Sequence, residues 1–568
     1  MAVAGSSLPG RKEMTSQLDP GARVAELIAL YDHAKFDVAK HLCDRHEPAA
    51  IAYTIVADDL SSTALTYGAL REESERLADA LTRQGFKQGD RIATLMGKSR
   101  AYLVAILAIW RMGAVHVPLF TAFAPPAILL RLEASGAKLV ICDEAQKKKL
   151  DFSVEKDFHP SWKILTTGTR DEGELSFDTL LSEGKPGFGS VAIGGSSPFI
   201  QIYTSGTTGN PKGVAVPAKA LASFQAYGEF ALDVRPDDVF WNAADPGWAY
   251  GLYFGILVTL STGVPSIMLT AGFSPDLTYG VLSRFGVTNL TAAPTVYRSL
   301  LACDGKPNLS LRCASSAGEP LTPEVNEWAG EALGTLVHDH FGQTEAGMLV
   351  NNHHHPALRK PLKTGSMGHV MPGWSPLILH IDTDEIAPVG SVGRLAFELA
   401  DSPFAWFVGY IDEPGKSREK FAGAGRWYLS GDTARMDEDG YIYFSARDDD
   451  IIIMAGYRIG PFEVESVLVT HPAVAEVAVV AVPDTVRGEV LEAVIVLHPG
   501  SDPSQALVKE LQSWVKTKFA AHAYPRRVHF TGALPKTPSG KIQRFVVRKE
   551  LREGTLVTLP GKEAINAG

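Results

Sequence analysis

The chain has 568 residues, more than one domain of ordinary size holds. A hydrophobic share of 45% and a charged share of 21% are those of a globular protein, and a chain this long buries a large core without disulfide or metal staples. The formal charge of −10 excludes a general nucleic-acid binder, which carries a basic excess or a basic stripe.

The first residues, MAVAGSSLPGRKEMTSQLD, hold no apolar run, and Glu13 and Asp19 make them a poor transit peptide; the cytoplasm is the expected location. A helix is expected from Val24 to Ala34. From about residue 50, apolar strand-like runs alternate with helical patterns. RIATLMG (91–97) reads as a strand, and Ser99 to Met112 as a helix with a dense apolar face. Its stretch AYLVAILAIW is too short to span a bilayer and reads as buried. AVHVPL (114–119) and AKLVICD (137–143) are further strands. This alternation predicts α/β layers with substantially parallel sheets. Cys43, Cys142, Cys303 and Cys313 are scattered without CxxC spacing, as reduced thiols are.

The densest local signal is YTSGTTGNPKGV at 203–214. It follows an apolar strand, Pro198 to Tyr203, and precedes a helical pattern at Leu221, Phe224 and Tyr227. Glycines let backbone N–H groups approach phosphate oxygens, Ser and Thr add hydroxyl donors, and Lys212 adds a point charge. The P-loop pattern needs Lys directly after its last glycine, followed by Ser or Thr; here Gly209 is followed by Asn-Pro-Lys-Gly, so this is a different phosphate loop.

Residues 203–214 match throughout the signature loop of the acyl-adenylate-forming superfamily. From about Thr66 to Arg548 the chain resembles its AMP-forming acetyl- and medium-chain acyl-CoA synthetases. The resemblance implies a large N-terminal α/β domain of layered β-sheets and helices, 1–447, and a small mobile α+β C-terminal domain, 448–568. It implies ATP, Mg²⁺ and coenzyme A as the small molecules consumed or required, together with a carboxylic acid, and neither nucleic acid nor membrane as a partner. Monomer and homodimer both stay open.

The same resemblance assigns roles residue by residue. Thr204, Ser205, Gly206, Thr207, Thr208, Gly209 and Lys212 would hold the phosphates. Gly318, Glu319 and Pro320, in SAGEP, would line adenine and ribose; alone, this tripeptide would be an ordinary turn. In HDHFGQTEAG (338–347), Asp339, His340, Gly342 and Gln343 would line the nucleotide. Phe341 would stack on adenine, Thr344 would touch the α-phosphate and Glu345 would hold Mg²⁺, which takes one or two carboxylates plus phosphates. Asp432 and Arg447 would contact the ribose, and Arg458 a phosphate. Asp449 would be the hinge, and Gly456, Tyr457 and Arg487 would meet coenzyme A. Lys541, in PKTPSGKIQR, would be catalytic along with Thr204 and Glu345, because an anionic carboxylate attacking an anionic phosphate needs a cation.

DPGWAYG (245–251) matches the segment lining the acyl pocket of acetyl-CoA synthetases, which makes Trp248, Ala249, Tyr250, Ala317 and Gly342 the wall. The acetate enzymes place a tryptophan where this chain has Gly342, so more room is expected and an acid longer than acetate, branched or aromatic acids included. An adenylating enzyme that loads a carrier protein is one alternative. A non-catalytic nucleotide-binding protein of the same fold is another. Two tempting clusters get blander readings: His353, His354 and His355 as a solvated loop rather than a metal site, and Lys147, Lys148 and Lys149 as a charge run rather than a coenzyme A phosphate contact.

Overall fold

A computed structural model describes residues 19–152, 160–204, 211–303, 309, 311–319, 321–447, 452–454, 457–484, 488–520, 523–536 and 542–559. The chain divides into two compact units. One comprises 1–321, 325–375 and 399–419; the other comprises 322–324, 376–398 and 420–568.

Two sheets build the first unit. In one, the strands Val115–Pro118, Arg91–Leu95, Leu139–Cys142 and Lys163–Thr166 lie side by side in parallel pairs. In the other, Phe240–Asn242, Asn289–Ala292, Cys313–Ala317 and Val337–Gln343 run parallel, and the antiparallel strand Gly347–Asn351 follows at the edge side. Several of these strands are buried at every position, as parallel strands covered on both faces must be. The expected strand–helix alternation is therefore present. The helix Arg100–Arg111 starts at Ser99, whose side chain accepts the Tyr102 N–H, and every residue from Tyr102 to Arg111 is buried. Arg111 is tolerated there because its guanidinium donates to both oxygens of Asp44, at 2.9 and 2.6 Å.

One expected element shifts, and one strand appears that was not expected. The first helix spans Pro20–Tyr31, not 24–34, because Asp19 caps its start and Pro20 sets its first turn. The element after the phosphate loop is a strand, Lys212–Pro217, and the helix Leu221–Ala226 comes only afterwards. The strand's ladder to Pro198–Thr204 is antiparallel, with Thr204 opposite Lys212.

The second unit holds two five-stranded sheets. One contains Pro376–Leu379, Val392–Glu398, Phe421–Ala422, Trp427–Met436 and Ile442–Arg447. The other contains Ile452–Met454, Tyr457–Ile459, Val474–Asp484, Gly488–Leu497 and Arg527–Phe530. The break expected at 447/448 falls between these two sheets. The unbroken apolar run at 474–484 has a clear cause: Val477, Val479 and Ala481 join a core with Val464, Leu468, Leu511 and Val515, while Ala478 and Val480 join another with Leu534 and Val547. Both faces of the strand are covered, so neither can be polar.

Candidate active site

In the first unit, Thr204, Gly318, Glu319 and residues 339–344, all expected nucleotide residues, lie at or near the carboxyl ends of parallel strands, where open α/β sheets bind ligands. Ser316 sits opposite Asp339 and Ala317 opposite His340 in the ladder between Cys313–Ala317 and Val337–Gln343. Gly318 follows with φ +102°, a conformation that side chains rarely adopt, and it turns the chain so that Glu319 lies just past the strand end. One Glu319 oxygen, Oε2, accepts from Arg298 at 3.1 Å.

Buried polar atoms without a partner among the described residues occur in several parts of the molecule, Tyr67 Oη and Trp110 Nε1 among them, and four of them lie at these strand ends. Thr204 Oγ1, Ser316 Oγ, Glu319 Oε1 and Asp339 Oδ1 are all buried and make no hydrogen bond among the described residues. Folded proteins leave few such atoms unmatched, and those they do leave call for a ligand, water or ion. Burial also pushes the Asp339 carboxyl up to about 7. Ser316, the first residue of SAGEP, is given no role by the sequence, since a serine at a strand end carries no signal of its own.

Glu345 is no surface acid. It is buried, and its Oε1 accepts the Tyr410 hydroxyl at 2.7 Å. Its second oxygen accepts no hydrogen bond among the described residues, so a hard anionic oxygen is left for a cation. That donor set fits Mg²⁺ held by one carboxylate plus substrate phosphates. Thr344 is held from behind, its carbonyl accepting from the Tyr253 hydroxyl at 3.2 Å.

Among the residues expected to wall an acyl pocket, the Trp248 ring packs against Phe120 and Phe123, with centroids 5.1 and 5.3 Å apart. Tyr250 opens a π-helical turn, Tyr250–Leu257. Its hydroxyl lies 3.4 Å from that of Tyr227, which bonds His340 Nδ1 at 2.8 Å. Gly342 corrects the expectation of an open space. A Cβ there would overlap both the Met348 sulfur and the Gly347 carbonyl oxygen, at a register shift where Gly342 faces Met348 across the ladder. Space beside Gly342 is thus occupied by Met348. Neither Met348 nor the Phe120–Phe123 pair is legible in sequence, because only the bulge and the packing bring them to the wall.

In the second unit, Asp432 and Arg447 face each other across the hairpin of Trp427–Met436 and Ile442–Arg447, with Arg447 Nε 3.8 Å from Asp432 Oδ1. The two expected ribose contacts are brought together by strand register alone. Ser205, Gly206, Thr207, Thr208, Gly209, Pro320, Asp449, Gly456, Arg487 and Lys541 lie outside the described residues, as do the side chains of Tyr457 and Arg458.

The histidine run departs from the solvated loop expected of it. His353, His354 and His355 are 3, 6 and 4% exposed. The His354 and His355 amides donate to the carbonyls of Ala231 and Phe230, and the His354 ring stacks on His338 with centroids 3.6 Å apart. Burial pulls His338 and His353 down to about 4. No group of three or more metal-ligating side chains occurs among the described residues. The lysine run is tied down locally: Lys147 pairs with Asp171 and Glu174 at 2.9 and 2.8 Å, and Lys149 donates to the Thr121 carbonyl.

Comparison with known proteins gives the class. The model of the AMP-binding enzyme family matches residues 41–399, and that of the AMP-binding enzyme C-terminal domain matches 463–541. The chain belongs to this family of adenylate-forming enzymes. Within it, the chain stands with the acyl-CoA synthetases, which are ATP-dependent acid–thiol ligases. It is 36% identical to an acetyl-coenzyme A synthetase of Bacillus subtilis over 85% of this chain and 84% of that protein. It is also 36% identical to a mitochondrial acyl-coenzyme A synthetase of Rattus norvegicus, over 84% and 82%. Among solved structures, an acyl-CoA synthetase of Brucella canis is 40% identical with a TM-score of 0.73, covering 97% of this chain and 100% of that one. An anthranilate CoA ligase in complex with anthranoyl-AMP is 27% identical with a TM-score of 0.83, covering 92% and 98%. No helix among the described residues is long and apolar enough to cross a membrane.

Proposed function

We propose that this protein is a cytoplasmic AMP-forming synthetase that converts a short- to medium-chain carboxylic acid, ATP and coenzyme A to the acyl-CoA, AMP and pyrophosphate. The set of unmatched buried polar atoms at Thr204, Ser316, Glu319 and Asp339 carries the nucleotide half of this reading. In the first step the substrate carboxylate attacks the α-phosphorus of ATP and pyrophosphate leaves. The protein supplies positioning and charge rather than a nucleophile. Thr204, Lys212 and the loop between them hold the phosphates, Asp432 and Arg447 the ribose, and Asp339 the adenine side. Lys541 offsets the negative charge of the attacking and attacked groups. Mg²⁺, when bound, neutralises charge on the phosphates, and Glu345 is the residue placed to hold it. In the second step the coenzyme A thiol attacks the acyl adenylate and AMP leaves. The small domain from 448 onward, hinged at Asp449, presents Lys541 for the first step and the Gly456 loop for the second.

The acid is read from Met348. Met348 is unbranched and adaptable, and it stands where the acetate enzymes put an indole. A wall of that kind accommodates chains longer than acetate. An aromatic acid is the second reading, favoured by the Phe120, Phe123 and Trp248 rings and by the likeness to a ligase for anthranilate.

Acid-dependent exchange of pyrophosphate into ATP tests the enzyme reading. A series from acetate to dodecanoate, with benzoate, should give its highest kcat/KM beyond acetate; an acetate optimum overturns the pocket reading. AMP formation with coenzyme A set against a phosphopantetheinyl carrier protein separates the synthetase from a carrier-loading ligase. Lys541→Ala should slow the exchange by about 10²- to 10³-fold, the scale of losing one oriented charge at a reacting centre. Thioester formation from supplied acyl adenylate should continue; equal loss of both steps contradicts the alternating small domain.

A further inference from the structure

Tyr410 plays no part in the reading so far, yet it touches both charged groups that flank the phosphate site. It lies on the two-residue strand Tyr410–Ile411, which pairs with Lys212–Pro217 on the side away from the loop's other strand. Its hydroxyl donates to Glu345 Oε1 at 2.7 Å. Its ring faces the Lys212 ammonium, 4.7 Å from the centroid. Its own placement is firm: the amide donates to Ser417 Oγ at 2.8 Å, and Phe407 packs edge-on with centroids 5.1 Å apart.

We propose that Tyr410 is a positioning residue that locks the Glu345 carboxylate and the Lys212 ammonium into one unit facing a magnesium-bound triphosphate. The inference rests on the reading of Glu345 as the Mg²⁺ ligand. Set close together without a spacer, the buried Glu345 carboxylate and the half-buried Lys212 ammonium would be drawn together and neutralise each other. The phenol keeps them apart. Its hydroxyl occupies one carboxylate oxygen and orients the other, and its ring holds the lysine by attraction to the π face. Glu345 is then free to meet a cation while Lys212 is free to meet a phosphate. Tyr410 arrives from a distant stretch of chain, in VGYIDEP, where nothing marks it by type or spacing.

Binding of Mn²⁺, followed by electron paramagnetic resonance in the presence of α,β-methylene-ATP, is the readout, alongside calorimetry of the same nucleotide without metal. Tyr410→Phe keeps the ring and removes the donor. It should weaken Mn²⁺ binding about tenfold, as loss of an outer hydrogen bond to a metal ligand does, and leave metal-free nucleotide binding unchanged. Tyr410→Leu removes the ring as well and should also weaken the metal-free nucleotide, through Lys212. Glu345→Gln should weaken Mn²⁺ binding at least as much, and adding Tyr410→Phe to it should cost nothing more. If Glu345→Gln weakens Mn²⁺ binding and Tyr410→Phe does not, the positioning role is overturned and the metal ligand stands. If neither does, the assignment of Glu345 falls and the proposal with it.

Discussion

At the strand ends of the first unit, buried ionisable groups face carbonyls, hydroxyls and one another. In the second unit they face opposite charges. Asp339 has one oxygen without a partner, and His338 and His354 stack on each other. In contrast, Glu465 accepts two hydrogen bonds from Arg544 and a third from the Val479 amide. Glu492 accepts from Arg527 and lies 2.7 Å from His529 Nε2. A buried group whose needs are met holds a fold together. One whose needs are unmet has been left for something that arrives later. The groups at these strand ends of the first unit differ in this from the Glu465 and Glu492 clusters, which tie the small sheet of the second unit to its neighbours.

Breaking a pair in the second unit should therefore cost more stability than breaking an unmatched group in the first. Glu465→Ala leaves the Arg544 guanidinium without its carboxylate and should destabilise the second unit by about 3–5 kcal/mol. Asp339→Asn removes a carboxyl whose charged form burial disfavours, so at neutral pH and above it should leave stability unchanged or raised while weakening ATP binding. Denaturant unfolding of both variants checks this, and equal losses would dissolve the contrast between the units.

Acid sharpens it further. His116, His338 and His353 are pulled by burial to about 3, 4 and 4. Each is neutral in the folded protein below the ordinary 6.5, where the unfolded chain already binds a proton. Stability is then lost as pH falls from about 6.5 to 4, at up to about 1.4 kcal/mol per pH unit for each group. Asp339, pushed up to about 7, works the other way: it is protonated in the fold between about 4 and 7, so its term favours the fold as pH falls through 7. The histidines outnumber it, and the melting temperature should drop below pH 6.5. Asp339→Asn should make that drop steeper and remove the loss its ionisation causes above pH 7. A melting temperature level from 6.5 down to 4 would mean the histidines are not buried as neutral groups.

The smallest expected effect is at the acyl wall. Met348→Ala should move the optimum in the acid series toward longer chains, with a gain of about 0.8 kcal/mol, or about fourfold in kcat/KM, for each methylene newly buried. An unchanged optimum would place the wall elsewhere.

Much of the fold was open to reading because its cause is local. The Ser99 cap, the apolar helix to Arg111 and the strand at 474–484, rich in valine and alanine, follow from side-chain type and period. The phosphate loop, the SAGEP turn and the QTE segment are read in the same way, being short and contiguous. The strand Lys212–Pro217 is not legible in KGVAVP, a short stretch that opens on Lys-Gly and closes on Pro; pairing with Pro198–Thr204 makes it a strand.

What the sequence by itself determined is the family, the order of the motifs and the chemistry their residue types can perform. The tertiary structure alone decided which atoms are left unmatched, that Met348 fills the room beside Gly342, that the histidine run is buried and that Tyr410 joins Glu345 to Lys212. Each of these is a contact between segments far apart in the chain, or across an irregular ladder. Residue type and spacing set what a side chain can do, while its partner and its burial are set by whatever the fold carries to its side.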